Sequence, residues 1–305
     1  MPAYFVSPPT WTTEDMRAAR DRAEGIFKEA RQREGPRTFE AVCDRIRPQV
    51  EGALELTDDL LRLDGEVLRE DPVLFQILRY FCGPPISEED LWTLVGGTKF
   101  KRVPSGLAEE TAAVISLVID PVRFPWVEAG RRPTDEERVR AVMATTVLLA
   151  SRVVGTNRRG DASVRQEAAV AAVLHEAGYE LDVARTPIML LDGLERGRYS
   201  RERKVAGAKC DVPVRLRDGR LLALECKVSN GPKNGWKRVN REVGGKAETW
   251  RQRFGTQVVT AVVLGGVFDV ACLVAAQTQG VALFWEHDLS ALTTFVQASD
   301  QRTST

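Results

Sequence analysis

Two acidic residues and a lysine in the second half of the chain have types and a spacing that suit metal-dependent hydrolysis. Thirteen residues separate Asp211 from Glu225, and Lys227 follows two positions later. Carboxylates that lie close together raise one another's pKa unless a cation stands between them, and Mg²⁺ needs only one or two carboxylates with water and a phosphate. Such an ion polarises the phosphate and activates water, while a lysine orients that water or balances charge. The pattern predicts Mg²⁺ at Asp211 and Glu225, with the main-chain carbonyl of Cys226 as a further ligand.

The turn between the two strands that carry these residues decides whether the side chains meet. A two-residue loop at positions 218–219 would put Asp211 on the same face as Cys226 and bury its charge. A three-residue loop at positions 217–219, ending in a glycine, is a common hairpin connection. With that loop Asp211 lies opposite Glu225, with side chains roughly 5 Å apart. We therefore expect the two carboxylates and Lys227 to share one face.

The spacing alone is a weak signal, because an ordinary surface strand with Glu and Lys on its outer face has half of it. Support comes from an upstream amphipathic helix that carries Glu167, a further acidic residue that can assist the site. The surrounding charge gives more support, because residues 201–254 contain 15 Lys/Arg against 6 Asp/Glu. The first 100 residues contain 13 against 19, and the whole chain has 43 of each. Residues 201–254 are therefore suited to an anionic partner, and a solvated surface face is the alternative interpretation of the charge alone.

The elements around the site alternate between strands and helices. Residues 209–217 and 221–228 alternate apolar and polar positions, which predicts a hairpin in which each strand has one uniformly apolar face. Gln257–Leu264 and Val281–Trp285 are the next predicted strands, with a helix at Asp269–Gln277 between them. Two helices precede the hairpin, separated by the polar run at 155–160. This order predicts an α/β fold with a mixed β-sheet flanked by helices.

The first third of the chain is predicted to be helical, at Thr13–Arg33 and Phe39–Leu68. Ser87 with Asp90 three residues later resembles a capping box that begins a short helix. A Gly/Arg/Pro cluster at 130–133 suggests a boundary. The predicted domains are residues 1–130, a helical region with no assigned role, for which DNA binding and dimerisation are the candidates, and residues 131–305, the catalytic core.

The basic stretch after Lys227 predicts a nucleic-acid-binding surface. Arg and Lys suit guanine edges or phosphates, Asn suits adenine, and a glycine-rich surface loop is the alternative interpretation. Lys246, Arg251 and Arg253 on the next helix would contact only phosphates. The candidate DNA-binding residues are Asn230, Lys233, Asn234, Trp236, Lys237, Arg238, Asn240 and Arg241.

Composition argues against several other classes. The five cysteines are scattered without a C-x-x-C pair, which favours neither disulfides nor a zinc site. The first residues lack the pattern of a signal peptide, and no run of about 18 apolar residues occurs. We expect a cytoplasmic protein.

The sequence from about 158 to 295 resembles PD-(D/E)XK restriction endonucleases and looks most like the XamI-type family. The resemblance is carried by four runs: Arg-Gln-Glu at 165–167, Ala-Lys-Cys-Asp at 208–211, Leu-Glu-Cys-Lys-Val-Ser-Asn at 224–230 and Leu-Phe-Trp-Glu-His at 283–287. It implies a restriction-endonuclease-like core, a mixed β-sheet flanked by helices, after an N-terminal helical region. It further implies a type II enzyme that cuts both strands of a short palindromic duplex site with Mg²⁺ as a homodimer, with a cognate DNA methyltransferase as genetic partner. It also implies that Asp211, Glu225 and Lys227 are catalytic. Cys210 replaces the proline that names the motif.

Two other functions fit the same residues. A repair or junction-resolving nuclease on this core would cut by DNA structure instead of sequence. A non-catalytic DNA-binding protein would carry Asp211 and Glu225 only as surface residues.

Overall fold

The computed structural model describes residues 5–299, except for the side chains of Arg158, Arg159 and Asp161. The chain forms two compact units, Met1–Gln32 with Arg158–Thr305, and Arg33–Asn157. The α-helices are α1 Thr13–Glu29, α2 Gly35–Leu56, α3 Gly65–Glu70, α4 Phe75–Leu78, α5 Glu88–Leu94, α6 Ala108–Leu117, α7 Pro125–Glu128, α8 Asp135–Glu176, α9 Pro232–Trp236, α10 Gly244–Phe254, α11 Val270–Thr278 and α12 Ser290–Ala298. Residues Ala30–Glu34 and Lys237–Val243 are π-helical, and Ser105–Leu107, Leu191–Gly193 and Gly255–Gln257 are 3₁₀-helical.

The unit Arg33–Asn157 is helical, as predicted for this part of the chain. Its core includes a run of aromatic side chains in which the ring centroids of Phe81 and Phe124 are 5.0 Å apart and those of Phe124 and Trp126 are 5.5 Å apart. The capping box is confirmed, because Asp90 N donates to Ser87 Oγ at 3.0 Å and Ser87 N donates to Asp90 Oδ2 at 2.9 Å. This pairing starts α5.

Two helix predictions were wrong about where helices break. The segment Phe39–Leu68 is not continuous, because Asp58, Asp59 and Leu60 have positive φ and separate α2 from α3. The polar run at 155–160 does not end a helix, since α8 continues through it to Glu176. Each glycine costs a helix only about 1 kcal/mol relative to alanine. Packing on both sides of the run, by Leu149 in one unit and Leu174 in the other, offsets this cost.

The long helix α8 has one further property. Among the described residues it is the helix whose length and composition could cross a membrane. Ala141, Leu149 and Ala150 of this helix are packed in the core of the helical unit, and Val170 and Leu174 are packed in the core of the other. A core helix of a folded protein has the same composition, so this feature does not indicate a membrane span.

The other unit contains a mixed sheet, as predicted, and this sheet has six strands instead of the four that were expected. The strands are β1 Glu180–Asp182, β2 Arg198–Ser200, β3 Arg203–Val205, β4 Ala208–Cys210, β5 Val212–Arg215, β6 Leu221–Asn230, β7 Val258–Val267 and β8 Ala282–Trp285. The sheet order is β1-β2-β5-β6-β7-β8, and β3 and β4 form a separate ribbon. Strands β5 and β6 are antiparallel, whereas β6, β7 and β8 are parallel. Helix α11 lies between the last two strands, where a helix was predicted.

Helices cover both faces of this sheet. Helices α8 and α12 pack against the face that carries Leu222, Leu224 and Cys226. On the opposite face, Leu221 and Ala223 are buried with Trp250 of α10. The prediction that each hairpin strand has one uniformly apolar face was therefore incomplete for β6. Strands with parallel neighbours are commonly buried on both faces.

The two units divide the chain differently from the predicted ranges 1–130 and 131–305. Met16 of α1 packs with Val262 of β7, so the N-terminal helix belongs to the unit with the sheet. Leu149 of α8 packs in the core of the helical unit. The cluster at 130–133 precedes a helix without separating the units.

Gly266 is predicted to be essential for the pairing of β6 with β7. Its φ is +86°, and a Cβ at this position would overlap the main-chain oxygen of Ser229, two residues after Lys227. We expect Gly266→Ala to lower the free energy of unfolding by roughly 2–5 kcal/mol, from the left-handed conformation and the overlap together. The measurement is urea unfolding followed by circular dichroism.

Gly207→Ala is the matched control for this substitution. Gly207 has φ +87°, and nothing lies within 4 Å of its added Cβ. Its expected cost is about 1–2 kcal/mol, from the backbone conformation alone. Equal losses in the two variants would contradict a special role for Gly266.

Candidate active site

The hairpin β5–β6 has the predicted three-residue loop. Leu216 N donates to Arg220 O at 2.9 Å, and Gly219, with φ +97°, donates its N–H to Leu216 O at 2.9 Å. Val212 pairs with Leu224 along the ladder. This register places Asp211, the next residue outward, opposite Glu225, so the register prediction is confirmed.

Asp211, Glu225 and Lys227 converge on one point. Asp211 lies between β4 and β5, and its Oδ2 accepts hydrogen bonds from Cys226 N at 2.8 Å and from Lys227 Nζ at 2.7 Å. Lys227 Nζ is also 2.7 Å from Glu225 Oε2. A single ammonium group therefore bridges two carboxylates that would otherwise repel one another.

Glu225 is fully buried, with 0% of its surface exposed. Burial and the neighbouring Asp211 raise its pKa above the usual value, although Lys227 and Lys246 act in the opposite direction. Burial alone would lower the pKa of Lys227, but Glu225 and Asp211 more than compensate and raise it above its ordinary value. Lys227 therefore stays protonated at neutral pH.

The donor set at this site fits a magnesium ion. Among the described residues, Glu225 Oε1 is buried and has no hydrogen-bond partner. An orphaned buried carboxylate oxygen carries a desolvation cost that a cation would remove. No group of three His, Cys, Asp or Glu side chains that could hold a metal occurs within the described part of the chain. Two carboxylates suffice for Mg²⁺, which retains water ligands.

Glu167 and Cys210 lie at the edges of this arrangement. Glu167 accepts a hydrogen bond from Ser163 at 2.9 Å. Glu167 lies on α8, which packs against the sheet face that carries Cys226. Burial raises the pKa of the Cys226 thiol, and the charges of Asp211 and Glu167 act in the same direction. Within the described residues, no hydrogen bond or ion pair joins Glu167 to the other three. Cys210, in the motif's proline position, is buried, and its thiol donates to Leu224 O at 3.6 Å.

The basic stretch after Lys227 is helical, so the alternative of a glycine-rich loop was wrong. Helix α9, the π-helical segment and α10 follow one another from Pro232 to Phe254. Val239, Val243 and Ala247 recur at four-residue spacing and are buried. This periodicity was the sequence signal for a helix, and the glycines and asparagines around it concealed that signal.

The predicted DNA-binding residues are not equally accessible. Asn240 is partly buried, and its Nδ2 donates to Cys272 O at 3.2 Å, so this amide supports packing on α11. Arg238 is half-buried, and Trp236 has 43% of its surface exposed. The remaining residues are exposed: Asn230, Lys233, Asn234, Lys237 and Arg241.

The sequence did not predict the contacts of two residues at the site. Lys246 of α10 donates to Glu225 Oε2 at 2.7 Å, although it was expected to contact only phosphates. It lies three residues after the buried Val243, and a lysine on the inner side of an amphipathic helix was the available signal. Arg31, after α1, donates to Asn230 Oδ1 at 3.2 Å. No local pattern links residues so far apart.

A mixed sheet that presents an aspartate, a glutamate and a lysine in this order has the site pattern of the PD-(D/E)XK class. The sequence model of the XamI restriction endonuclease family matches residues 58–285, which include all three residues. The chain belongs to this family, as the sequence resemblance predicted.

Two curated relatives are restriction enzymes. The chain is 35% identical over 271 residues to the type II restriction enzyme XamI of Xanthomonas campestris pv. amaranthicola, covering 83% of this chain and 95% of the relative. It is 22% identical over 285 residues to the type II restriction enzyme SalI of Streptomyces albus G, covering 84% and 89%. No solved structure matches the chain.

Proposed function

We propose that this protein is a type II restriction endonuclease that hydrolyses phosphodiester bonds of double-stranded DNA at a short palindromic sequence with Mg²⁺. The convergence of Asp211, Glu225 and Lys227 around one ammonium group carries the proposal. Family membership supports the same activity. The surface-residue interpretation of Asp211 and Glu225 is disfavoured, because Glu225 is fully buried and ion-paired.

Each residue has a distinct role in this proposal. Asp211 and Glu225 hold Mg²⁺, with the main-chain carbonyl of Cys226 as a further ligand. When bound, the ion polarises the scissile phosphate and lowers the pKa of a bound water. Lys227, protonated at neutral pH, orients the attacking water and offsets the negative charge that develops on the phosphate. Glu167 remains a proposed supporting acid, acting through its charge.

The DNA-binding surface is proposed to be the outer side of the helical segment that follows β6. Lys233, Lys237 and Arg241 are exposed on it and suit phosphates. Trp236, with its exposed ring, and Asn230 and Asn234 are the candidates for contacts with bases. Arg238 and Asn240 are less accessible, so their predicted contacts with DNA are the weakest of the set.

The proposal also covers the oligomeric state, the cellular location and the genetic partner. A palindromic site has twofold symmetry, and a homodimer places one catalytic site on each strand. We propose such a homodimer, acting in the cytoplasm, with a cognate DNA methyltransferase as genetic partner. Sedimentation velocity with and without DNA tests the assembly.

The experiment that tests the activity is digestion of phage DNA by the purified protein with Mg²⁺, followed by sequencing of the fragment ends. A single short palindrome at every end is the expected result, and EDTA is expected to abolish cutting. Nicking that follows DNA structure would instead indicate a repair or junction-resolving nuclease. Specific binding without cutting in any divalent cation would indicate a non-catalytic DNA-binding protein.

A further inference from the structure

Among the described residues, Lys246 is the basic residue from outside the motif whose ammonium group directly contacts one of the proposed catalytic carboxylates. Its Nζ lies 2.7 Å from Glu225 Oε2, the same oxygen that Lys227 contacts. The Lys246 side chain is 25% exposed and that of Glu225 is 0% exposed. A cationic group therefore reaches Glu225 from α10, across the face of the sheet that carries the catalytic residues.

Lys227 and Lys246 contact the same carboxylate oxygen of Glu225. Both contact Oε2, and Oε1 has no hydrogen-bond partner among the described residues. Lys227 is shared with Asp211, whose Oδ2 it also contacts at 2.7 Å. Lys246 contacts only Glu225 of the two carboxylates in the described contacts. Lys246 therefore differs from Lys227 in that its described contact with the site involves the carboxylate of Glu225 alone.

The backbone that carries Lys246 is firmly held. Val243 and Ala247 on either side of it are buried in the core. Trp250, one turn later, is fully buried, and its Nε1 donates to Val205 O at 3.0 Å. A long lysine side chain gains directional precision when its helix is fixed by packing on both sides. These anchors make α10 a rigid base for the contact.

We propose that Lys246 is a positioning residue that holds Oε2 of Glu225 so that Oε1 is presented to the divalent cation. The inference rests on the proposed function and adds a residue from outside the motif to its metal site. Groups that orient metal ligands typically contribute 10- to 100-fold to metal affinity. The alternative is that the Lys246 ammonium competes with the cation for Glu225. In that case, removal of the Lys246 ammonium group would strengthen metal binding instead of weakening it.

The test measures Mn²⁺ binding by electron paramagnetic resonance in the absence of DNA, where no cleavage occurs. Lys246→Met is expected to weaken Mn²⁺ binding by about 10-fold or more, and Lys246→Arg, which keeps the charge and the donors, is expected to recover part of it. Lys204→Met is the control, because Lys204 is exposed on β3. Unchanged or tighter Mn²⁺ binding by Lys246→Met would overturn the proposal.

Further measurements separate this inference from the proposed function. Glu225→Gln is expected to abolish Mn²⁺ binding. If it does so while Lys246→Met has no effect, the metal site stands and only the role of Lys246 fails. If wild-type protein binds no Mn²⁺ without DNA, the role of Lys246 in holding the metal site fails, whereas the proposed cleavage is judged separately by digestion with Mg²⁺. Thermal unfolding identifies variants that do not fold, and Lys246→Gln replaces the Met variant in that case, with the same expected loss.

Discussion

Glu225→Ala and Lys227→Ala are each expected to lower the cleavage rate by on the order of 10³-fold or more, while specific DNA binding measured in Ca²⁺ persists. Glu225→Ala removes a proposed metal ligand. It also leaves Lys227 and Lys246 without the carboxylate that both contact. The surplus positive charge does not oppose DNA binding, so the loss falls on the chemical step. Single-turnover cleavage and fluorescence anisotropy measure the two effects separately.

Lys227→Ala acts through a different cause. Asp211 and Glu225 lose the ammonium group that bridges them, and the repulsion between them rises. Asp211 and Glu225 would both remain to hold a cation, which would relieve that repulsion, so metal binding is expected to persist while the group that orients water is absent. Mn²⁺ binding is therefore expected to separate the two variants, with Glu225→Ala losing it and Lys227→Ala keeping it.

Glu248→Ala is the matched control for the loss of an acidic side chain. Glu248 lies on α10, is exposed, and pairs with Arg251 at 3.3 Å. Its removal is expected to leave cleavage within about twofold of wild type, since exposed ion pairs contribute little. Undiminished cutting by both Glu225→Ala and Lys227→Ala would reject the assignment of the active site.

The convergence of the site residues was predictable because it depends on local rules. The glycine that ends the loop selects a three-residue turn, the turn sets the register, and the register brings Asp211 opposite Glu225. The strands β7 and β8 and the helix between them were predictable for a similar reason, since each is marked by its own apolar pattern and the turns that bound it.

The predictions that failed depend on interactions between distant parts of the chain. Helix α8 continues through glycines because packing at both ends supports it. Helix α1 joins the sheet through Met16 and Ala23, which pack with strands more than 200 residues later. The contact between Lys246 and Glu225 needs both the hairpin and the packing of α10. Local propensity carries no information on such contacts.

Replacement of Lys233, Lys237 and Arg241 by glutamine is expected to weaken DNA binding on the order of 10- to 100-fold near 0.1 M salt. Each neutralised phosphate releases about 0.9 counterion, so the slope of log affinity against log salt is expected to fall by about 3 for three lost contacts. The three residues are exposed on one helical segment. Anisotropy in Ca²⁺ at several salt concentrations measures both quantities.

A second triple variant, which removes three positive charges from another part of the chain, distinguishes a local contact with DNA from a general electrostatic effect. Lys99, Lys101 and Arg102 are exposed in the helical unit, and their replacement by glutamine removes the same three charges. Long-range attraction is screened beyond about 10 Å at 0.1 M salt, so only residues close to the phosphates change the slope strongly. Equal losses in the two triple variants would mean that the segment after Lys227 has no special role in DNA binding. A loss confined to the first variant would place the phosphate backbone along this segment, which directly follows the strand that carries Glu225 and Lys227.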